Sequence, residues 1–542
     1  MRSRSTAAAV VAIVISALVG GVYGKSALAT ADTVPNHYKT FTAALSAIQT
    51  QYAEPVESDR MVYGAINGML QTLDPHSSFM DPRTYAQMRE RQEGRYYGLG
   101  LTIQSVDGDI TAVRVFEGSP AFTSGIRRGD VIATVEGTSA KGWTTEATVN
   151  KLKGPKGTFV NIGVRRKGFE RELEMRVMRD QVSIPSLSAS FMIDGTTGYV
   201  GVTDFAEHTD EDLGLALESL TKQGMKRLVF DLRANPGGQL DQAILVSSRF
   251  LPKGDLVVYT RGRVNGSDQD YRAQERSDYL TLPMITLVNR SSASASEIVS
   301  GALQDHDRSL VIGETTFGKA LVQSVYRLTR GAAALITTAR YYTPSGRLIQ
   351  RPWDGTFDDY LTYTLRDQDA NKTHKAEELK LTDAGRKVYS GGGIEPDRRF
   401  DGPTEGFNPG RFARTIAGRG LFDVYARRFT RQGDTRMPQP TSGPRHEVAA
   451  NYQLTDDMLN EFKQLVQQTP LRFDEAGWQK DRPYIAAMIQ KEIDLDLFGA
   501  AKAYERLAKQ DPQLQFSMNY FGEAASLLNN GKNSSATRAA RN

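Results

Sequence analysis

The chain has 542 residues, 39% of them hydrophobic and 24% charged, which is enough for about three or four globular domains. Its 67 basic and 63 acidic residues nearly cancel, so a general nucleic-acid-binding protein is disfavoured. There is no cysteine, which excludes disulfides, thiol catalysis and cysteine-ligated zinc, and the six histidines form no H-E-x-x-H motif of a zinc protease.

The N-terminus has the features of an export signal. Arg2 and Arg4 precede a charge-free run at residues 5–24, and small residues follow this run. Cleavage after Ala29 or Ala31 would fit a secretory signal peptide. The run, at about 20 residues, could instead stay as a membrane anchor. Both alternatives place the remaining chain in the periplasm or another extracytoplasmic space, in the second case anchored to the inner membrane.

Two kinds of pattern follow the export signal. Residues 32–90 are predicted to be helical, with a turn at 73–82. The next unit begins with YGLGLTIQSVDGDITAVRVF, in which apolar and polar residues alternate around a Gly turn, as in paired strands. Later in this unit, TTEATVNKLKG has the cap and the spacing of a helix. This unit is predicted to end near Arg179.

From Gly198 onward the pattern changes to strands that alternate with helices. Buried strands are predicted at RLVFDLR, MITLVN and SLVIGE, which indicates an α/β domain with a largely parallel sheet. Residues 351–390 are polar and are predicted to be an insertion. Residues 403–444 are rich in Gly, Pro and Arg, helical patterns return at Thr455, and residues 529–542 are predicted to be disordered.

The segment GETTFGKA resembles a phosphate-binding loop but lacks one essential residue. Gly313, Gly318 and Lys319 fit the pattern, whereas the position that should be Ser or Thr is Ala320. A phosphate loop must also lead directly into a helix, and the residues after Lys319 instead predict a hairpin. Nucleotide binding is therefore disfavoured.

Several motifs together resemble the C-terminal-processing peptidases, which are tail-specific serine proteases with a Ser/Lys dyad and a PDZ domain. The motifs are YGLGL, DLRANPGG, SASASEIVSGALQD, TFGKALVQ and ARYYTPSGRLIQ, in the order of the family. The resemblance covers most of the chain. It implies a multidomain α/β fold, in which a PDZ-like β-rich domain precedes an α/β protease core of the crotonase-like or ClpP-like type, with N-terminal helices and a helical C-terminal region.

The resemblance and the patterns together predict the domain boundaries. We expect a signal peptide or anchor at 1–31, an N-terminal helical region at 32–90, a PDZ domain at 91–180, a peptidase domain at 181–402, and a linker plus a helical C-terminal region with a disordered tail at 403–542.

The resemblance assigns the catalytic serine and lysine to Ser294 and Lys319, and it assigns to Gln323 the orientation of the lysine. Ser292 and Ser296, in the same serine-rich segment, are the alternatives to Ser294. A serine hydroxyl needs a base to take its proton. Lysine can be that base if burial lowers its pKa from about 10.4 towards about 7–8. The reaction would form an acyl-enzyme that water then releases.

The oxyanion of the tetrahedral intermediate needs backbone N–H donors. Ala295, next to the nucleophile, is one candidate. Gly237 of the NPGG turn is the second, with Gly238 as its alternative, because glycine lets the backbone approach closely. A rival base, His306, would make a Ser/His/Asp triad instead of a dyad.

The PDZ-like unit is expected to recognise protein substrates. The backbone amides of its turn, formed by Gly98, Leu99, Gly100 and Leu101, could bind a C-terminal carboxylate while the tail adds as a strand. The family often uses an Arg in an L-R-G turn to gate the protease. Lys153 stands in its place here, and Lys cannot bind bidentately.

The remaining expectations concern partners. We expect protein substrates with free C-terminal tails, no nucleic acid, no cofactor and no metal. The terminal helices could form a homo-oligomer. The main alternative is a catalytically silent scaffold at the membrane that binds tails through its PDZ unit.

Overall fold

The computed structural model describes residues 35–106, 108–116, 118–166, 168–274, 279–353, 360, 374–400, 410–432 and 445–539. The predicted export signal and much of the predicted 351–390 insertion lie outside these residues. Within them, no helix has the length and apolar character needed to cross a membrane. Contacts divide the chain into a smaller unit, Met1–Asp81 with Val325–Ile336, and a larger unit, Pro82–Ser324 with Thr337–Asn542.

The smaller unit contains two helices and a short strand. These are α1 (35–51), α2 (Ser58–Gln71) and β1 (Ser78–Met80). Strand β1 pairs antiparallel with residues 333–335. Asp74 forms the turn before β1, because its Oδ1 accepts the backbone N–H groups of His76 and Ser77, both at 2.8 Å. Residues 325–336, which lie within the predicted peptidase range 181–402, belong to this unit.

The first part of the larger unit is rich in strands, as predicted. The strands are β2 (Arg95–Gly98), β3 (Leu101–Val106), β4 (Asp109–Val115), β5 (Val131–Val135), β6 (Thr138–Ser139), β7 (Phe159–Arg165), β8 (Leu173–Met178) and β9 (Asp180–Ser183), and the helices are α3 (Pro82–Glu93), α4 (Pro120–Thr123) and α5 (Thr145–Leu152). The main sheet has the order β3-β4-β5-β7-β8. Strand β3 therefore lies at an edge, beside α5.

Local sequence explains the two helices that follow the first hairpin of this sheet. The Ser119 side chain accepts the N–H of Phe122 and so caps α4. The Thr144 side chain accepts the N–H of Ala147 at 3.1 Å and so caps α5. The strands β2 and β9 pair antiparallel, so the chain enters and leaves this PDZ-like unit at one place.

The second part of the larger unit is the α/β core. Its elements, with the hairpin shared between the two units, are β10 (Leu187–Met192), β11 (Thr197–Val202), α6 (Thr209–Lys222), β12 (Arg227–Asp231), α7 (Leu240–Ser248), β13 (Leu256–Arg261), β14 (Gln269–Arg272), β15 (Met284–Val288), α8 (Ala295–Asp305), β16 (Leu310–Gly313), β17 (Leu321–Arg327), β18 (Ala333–Tyr342), β19 (Leu379–Leu381), β20 (Lys387–Tyr389) and β21 (Arg398–Arg399). The central sheet has the order β10-β11-β12-β15-β16-β21.

The central sheet is parallel except at β10, which confirms the predicted parallel core. Every residue of β11, β15 and β16 is buried, as expected for strands covered on both faces. The carboxyl ends of β12, β15 and β16 lead into the segments 232–238, 289–294 and 314–319. Ligand sites of parallel sheets lie at this end, and all the motifs of the predicted catalytic site fall there.

The C-terminal region is largely helical. Its elements are α9 (Arg411–Gly418), α10 (Leu421–Ala426), β22 (Phe429–Arg431), β23 (His446–Val448), α11 (Asp456–Gln467), α12 (Glu475–Leu497), α13 (Ala500–Gln510), α14 (Pro512–Met518) and α15 (Phe521–Ala539). These helices follow the α/β core in the sequence. Two of them nevertheless contact its central sheet: α13 contacts β10, and α15 contacts β15 and β16.

Two segments of the C-terminal region form helices although their composition is polar. Within the Gly-, Pro- and Arg-rich residues 403–444, α9 and α10 form, and Phe412, Ile416, Phe422 and Tyr425 make a buried apolar face. In the segment for which disorder is predicted, 529–542, α15 extends to Ala539. Its first turns pack through apolar residues, and a helix that has been nucleated extends at little cost.

The C-terminal helices form ion pairs with both the PDZ-like unit and the α/β core. Arg128, in the PDZ-like unit, pairs with Asp423, Glu492 and Asp496 on α10 and α12. Asp511, the N-cap of α14, pairs at 2.6 Å with Arg233 at the carboxyl end of β12. This region therefore contacts the predicted recognition unit and the predicted catalytic core.

Candidate active site

Ser294 is the N-cap residue of α8 and has an unusual backbone. Its φ is 54° and its ψ is −114°, although it is not a glycine. Such conformations cost free energy and persist only where the surrounding structure enforces them. Helix α8 itself is buried along its whole length. The nucleophile assigned from the sequence thus lies on a sharp turn at the start of a buried helix.

The serines on either side of Ser294 are already engaged. The Ser292 hydroxyl donates to the Leu232 carbonyl at 2.8 Å, and the Ser296 hydroxyl donates to the Asn235 carbonyl at 2.9 Å. Both serines are fully buried, whereas Ser294 is partly exposed. These bonds fasten the serine-rich segment to the segment that contains the NPGG turn, and they favour Ser294 over both alternatives.

Lys319 and Gln323 lie together. The Lys319 amine donates to Oε1 of Gln323 at 2.9 Å. Gln323 lies on β17, and Lys319 lies two residues before this strand begins. Ala320 and Leu321, between them, are buried. The structure thus reproduces the contact that the family resemblance implies.

The carboxylate of Glu297 joins the serine and lysine segments, and the sequence analysis gave it no role. Its Oε2 accepts the backbone N–H of Ser294 at 2.8 Å and that of Lys319 at 2.9 Å. Its Oε1 accepts the N–H of Gly318 at 2.6 Å and the hydroxyl of Thr316 at 2.5 Å. The spacing Ser294-x-x-Glu297 is that of a capping box and could have revealed the first of these bonds.

Glu297 is completely buried, and burial raises the pKa of its carboxyl from 4.5 to about 7. The four hydrogen bonds act in the opposite direction and keep the pKa from rising further. The full set of four donors needs both oxygens as acceptors, which only the ionised carboxylate provides. The arrangement around Ser294 and Lys319 is therefore complete only when Glu297 has lost its proton.

Tyr341, on β18, makes a second link between the same two residues. Its hydroxyl lies 3.2 Å from the carbonyl oxygen of Ser294 and also bonds the carbonyl oxygen of Lys319. The ring is buried, with 1% of the residue exposed. Glu297 holds the N–H groups of the two residues and Tyr341 holds their carbonyl groups, so the backbone of both is fixed on two sides.

Gly237 lies directly against Ser294. Its φ is 99°, and a Cβ atom added there would come within 2.7 Å of the Ser294 Cβ and within 2.8 Å of the Ala295 nitrogen. However, its N–H donates to Oδ1 of Asn235 at 2.8 Å, so the donor that we preferred is already engaged. Among the described residues the N–H of Gly238 has no partner. Ala295 is the first residue of α8, where backbone N–H groups lack helical acceptors.

The turn Gly98–Leu101 connects β2 to the edge strand β3. Gly100 has a φ of 80°, and a Cβ atom there would meet the Cβ of Ser119 at 2.2 Å, so only glycine fits. Leu99 and Ile103 are buried against the face that carries Leu152 of α5. The turn and the Ser294 segment belong to different sheets, and no hydrogen bond between described residues joins them.

His306 is at the opposite end of α8 from Ser294. Its Nδ1 lies 2.7 Å from Asp383, and its Nε2 lies 2.7 Å from the Leu256 carbonyl oxygen. A helix of this length spans about 16 Å. The histidine is therefore a structural link rather than a base for Ser294.

Lys153 pairs with Glu90 of α3 and lies 4.8 Å from the ring centre of Tyr96. All three residues belong to the PDZ-like unit or to the helix that precedes it. The structure thus gives Lys153 a contact close to the Gly98–Leu101 turn.

Three family models match the chain. The model of peptidase family S41 matches residues 196–361, and the PDZ domain model matches residues 87–165. The model for the N-terminal domain of the activating protease CtpB matches residues 22–84. The first match contains the Ser294 site, and the second contains the Gly98–Leu101 turn.

Curated relatives match over most of their own length. The carboxy-terminal-processing protease of Bartonella bacilliformis is 37% identical over 328 residues, which cover 59% of this chain and 75% of the relative. The processing protease CtpA of Bacillus subtilis is 33% identical over 376 residues, which cover 68% and 79%. A solved photosystem II D1 C-terminal processing protease is 28% identical, covers 67% of this chain and 86% of its own, and gives a TM-score of 0.35. The extent of the curated matches shows that the chain belongs to the carboxy-terminal-processing proteases of peptidase family S41.

Proposed function

We propose that this protein is an exported serine endopeptidase that cleaves through a dyad of Ser294 and Lys319. The observation that carries the dyad is the joint fixation of both residues. Glu297 binds their two N–H groups through one oxygen, and Tyr341 binds their two carbonyl oxygens. The Lys319 amine is held by Gln323. Fixing a base relative to its nucleophile can remove several kcal/mol from a barrier.

The reaction begins with Lys319 in its neutral form. The amine accepts the proton of the Ser294 hydroxyl as the oxygen attacks the scissile carbonyl carbon, and the resulting lysine ammonium gives a proton to the leaving amine. The N–H of Ala295 and an N–H of the NPGG turn, Gly237 or Gly238, stabilise the oxyanion. Since the Gly237 N–H is engaged by Asn235, it can serve only if that bond is exchanged for the oxyanion. Water then hydrolyses the acyl-enzyme with Lys319 as base.

A fluorophosphonate probe tests the nucleophile against the silent-scaffold alternative. The wild-type protein is expected to be labelled on Ser294, as peptide mass spectrometry would show, and Ser294→Ala should abolish labelling. Ser291→Ala is the matched control, because Ser291 is a partly exposed serine of the same segment and its loss should leave labelling intact. Folded wild-type protein that takes no label would support the scaffold instead.

Recognition of substrates is assigned to the turn Gly98–Leu101. The PDZ match and the relatives' names, which refer to carboxy-terminal processing, support this assignment. The open edge of β3 can accept an extended tail as an additional strand. Apolar residues Leu99, Ile103 and Leu152 lie near this edge, so tails that end in an apolar residue should bind best.

Export is proposed from the sequence of the first 31 residues. N-terminal sequencing of native protein is expected to give a start near Thr30 or Asp32 if the signal is cleaved. An intact Met1 in the membrane fraction would instead identify residues 5–24 as an anchor. Recovery of the active protein from the cytosol alone would contradict both versions.

The domain boundaries and the formation of a homo-oligomer are also proposals that start from the sequence. A PDZ domain at 91–180 agrees with the pairing of β2 and β9, which closes that unit. Homo-oligomer formation through the terminal helices has one further support. Tyr38, Phe41, Ile48 and Tyr52 of the first helical region are exposed at spacings that place them along one side.

A further inference from the structure

The turn at residues 318–320 carries Lys319, and groups distant in the sequence fix its backbone. Glu297 accepts the N–H groups of the first two residues of the turn. Tyr341 bonds the carbonyl oxygens of the last two, one through its hydroxyl and the other through its backbone N–H. These four bonds leave one N–H group and one carbonyl group of the turn. Both are bonded by the segment 350–351, which follows β18.

Gln350 bonds the N–H group that remains. Its Oε1 accepts the backbone N–H of Ala320, the residue after Lys319, at 2.8 Å. Gln350 and Ala320 are both buried. Because a buried N–H group that loses its acceptor is costly, the backbone at Ala320 depends on how the Gln350 amide is oriented.

Tyr360 sets the orientation of the Gln350 amide. The amide Nε2 donates to the Tyr360 hydroxyl at 3.0 Å and to the Arg351 carbonyl oxygen at 2.9 Å. Since both acceptors lie on the nitrogen side, the amide oxygen is the atom that faces Ala320. Tyr360 is buried, and it belongs to the polar residues 351–390 that the sequence predicts to be an insertion.

Arg351 holds Tyr360 against the lysine turn. Its guanidinium carbon lies 4.3 Å from the ring centre of Phe317 and 4.4 Å from that of Tyr360, and the two rings meet edge to face at 5.6 Å. Its Nη2 donates to the Tyr360 carbonyl oxygen at 2.7 Å. Its backbone N–H donates to the Gly318 carbonyl oxygen at 2.9 Å. The tyrosine is thus fastened beside the residues that lead into Lys319.

We propose that Gln350 and Tyr360 are positioning residues for Lys319. Tyr360 orients the Gln350 amide, and the amide oxygen fixes the backbone next to the lysine. A displacement of about 1 Å can cost about a hundredfold in rate, so loss of either residue slows the transfer of the serine proton. This inference rests on the proposed dyad of Ser294 and Lys319, and it gives the 351–390 insertion a part in catalysis.

The test follows labelling of Ser294 in the full chain by an excess of a fluorophosphonate probe. The rate constant reports how well Lys319 activates the serine, whereas the final labelled fraction reports how much of the protein is folded. Gln350→Met keeps the length of the side chain but removes the amide, and the rate constant is expected to fall about ten- to a hundredfold. Tyr360→Phe removes only the hydroxyl and should lower it about three- to tenfold. Labelling should still reach completion in both variants.

Two further variants make the result specific. Tyr389→Phe makes the same chemical change elsewhere in the 351–390 insertion, where the ring stacks on His374, and it should leave the rate constant unchanged. The double variant of Gln350→Met with Tyr360→Phe should be no slower than Gln350→Met alone, because Tyr360 acts through the amide. If Gln350→Met does not fold, Tyr360→Phe measured against Tyr389→Phe decides the question by itself.

The outcomes separate this inference from the dyad on which it rests. If Lys319→Ala is labelled as fast as the wild type, the dyad is wrong and the inference falls with it. If Lys319→Ala is slow, but the Gln350 and Tyr360 variants keep the wild-type rate constant or lose only labelled fraction, the inference alone is overturned. Losses that multiply in the double variant also overturn it, since Tyr360 would then act independently of Gln350. Slow but complete labelling, with no further loss in the double variant, supports both.

Discussion

Replacing Lys319 by alanine is expected to lower kcat by about as much as replacing Ser294 by alanine, roughly 10⁴- to 10⁶-fold. In the proposed mechanism the two residues act as one unit, since without the amine nothing takes the hydroxyl proton and without the hydroxyl the amine has no function. The double variant should therefore lose little more than either single variant. Lys319→Arg should be nearly as inactive, because a guanidinium stays protonated. Steady-state cleavage of a fluorogenic peptide with a free C-terminus measures all four.

The controls for this prediction lie in the same site. Gln323→Ala removes the oxygen that holds the lysine amine but leaves the base, so its loss should be much smaller. Acylation by the wild type should be slow at acidic pH and rise as Lys319 loses its proton. A folded Lys319→Ala protein that retains near-normal peptidase activity would disprove the dyad.

Glu297→Gln is expected to lower kcat by about 10²-fold with little change in KM. The amide has one acceptor oxygen, so two of the four donors that meet the carboxylate would face an NH₂ group instead. If the backbone of Ser294 and Lys319 loses its common acceptor, the dyad is displaced, and displacement of about 1 Å can cost such a factor. Separate kcat and KM values on the same peptide would check this.

Tyr341→Phe is the matched comparison for Glu297→Gln. It removes the hydroxyl that bonds the two carbonyl oxygens but leaves no unpaired donor, so its effect on kcat should be smaller. Equal activity of Glu297→Gln and wild type would show that the carboxylate does not position the dyad.

The same substitution should alter the pH dependence of stability. Since folding raises the Glu297 pKa from 4.5 to about 7, this group stabilises the fold below pH 4.5, and that contribution is lost as pH rises to about 7. The shift corresponds to about 3 kcal/mol. Glu297→Gln has no proton to lose, so its unfolding free energy should fall less over this interval. Urea unfolding at several pH values measures the difference, and parallel curves would contradict it.

Linear motifs were sufficient to predict which segments would meet. The alternation of strands and helices predicted the parallel sheet that brings the loops of Ser294 and Lys319 to one edge, whereas the assignment of these two residues as nucleophile and base stays a prediction. The contact of Gln323 with Lys319 was implied by the resemblance. Each of these features depends on local sequence or on the order of elements, both of which a single sequence contains.

The sequence could not predict the contacts that depend on how side chains and turns are arranged after folding. Asn235 engages the N–H of Gly237 because the turn folds its side chain back, and the motif alone does not show this. The polar composition of 403–444 concealed the apolar residues that build α9 and α10.

The ion pair of Arg233 and Asp511 cannot form until late in the synthesis of the chain. Arg233 begins the segment that leads to the NPGG turn, and its partner is 278 residues later in the chain. Gln513 likewise donates to the carbonyl oxygens of Val288 and Ile312 at the carboxyl edge of the sheet. A chain made from its N-terminus contains Ser294 and Lys319 long before it contains these anchors. The sheet edge that carries Ser294 is thus secured only after synthesis has passed residue 513.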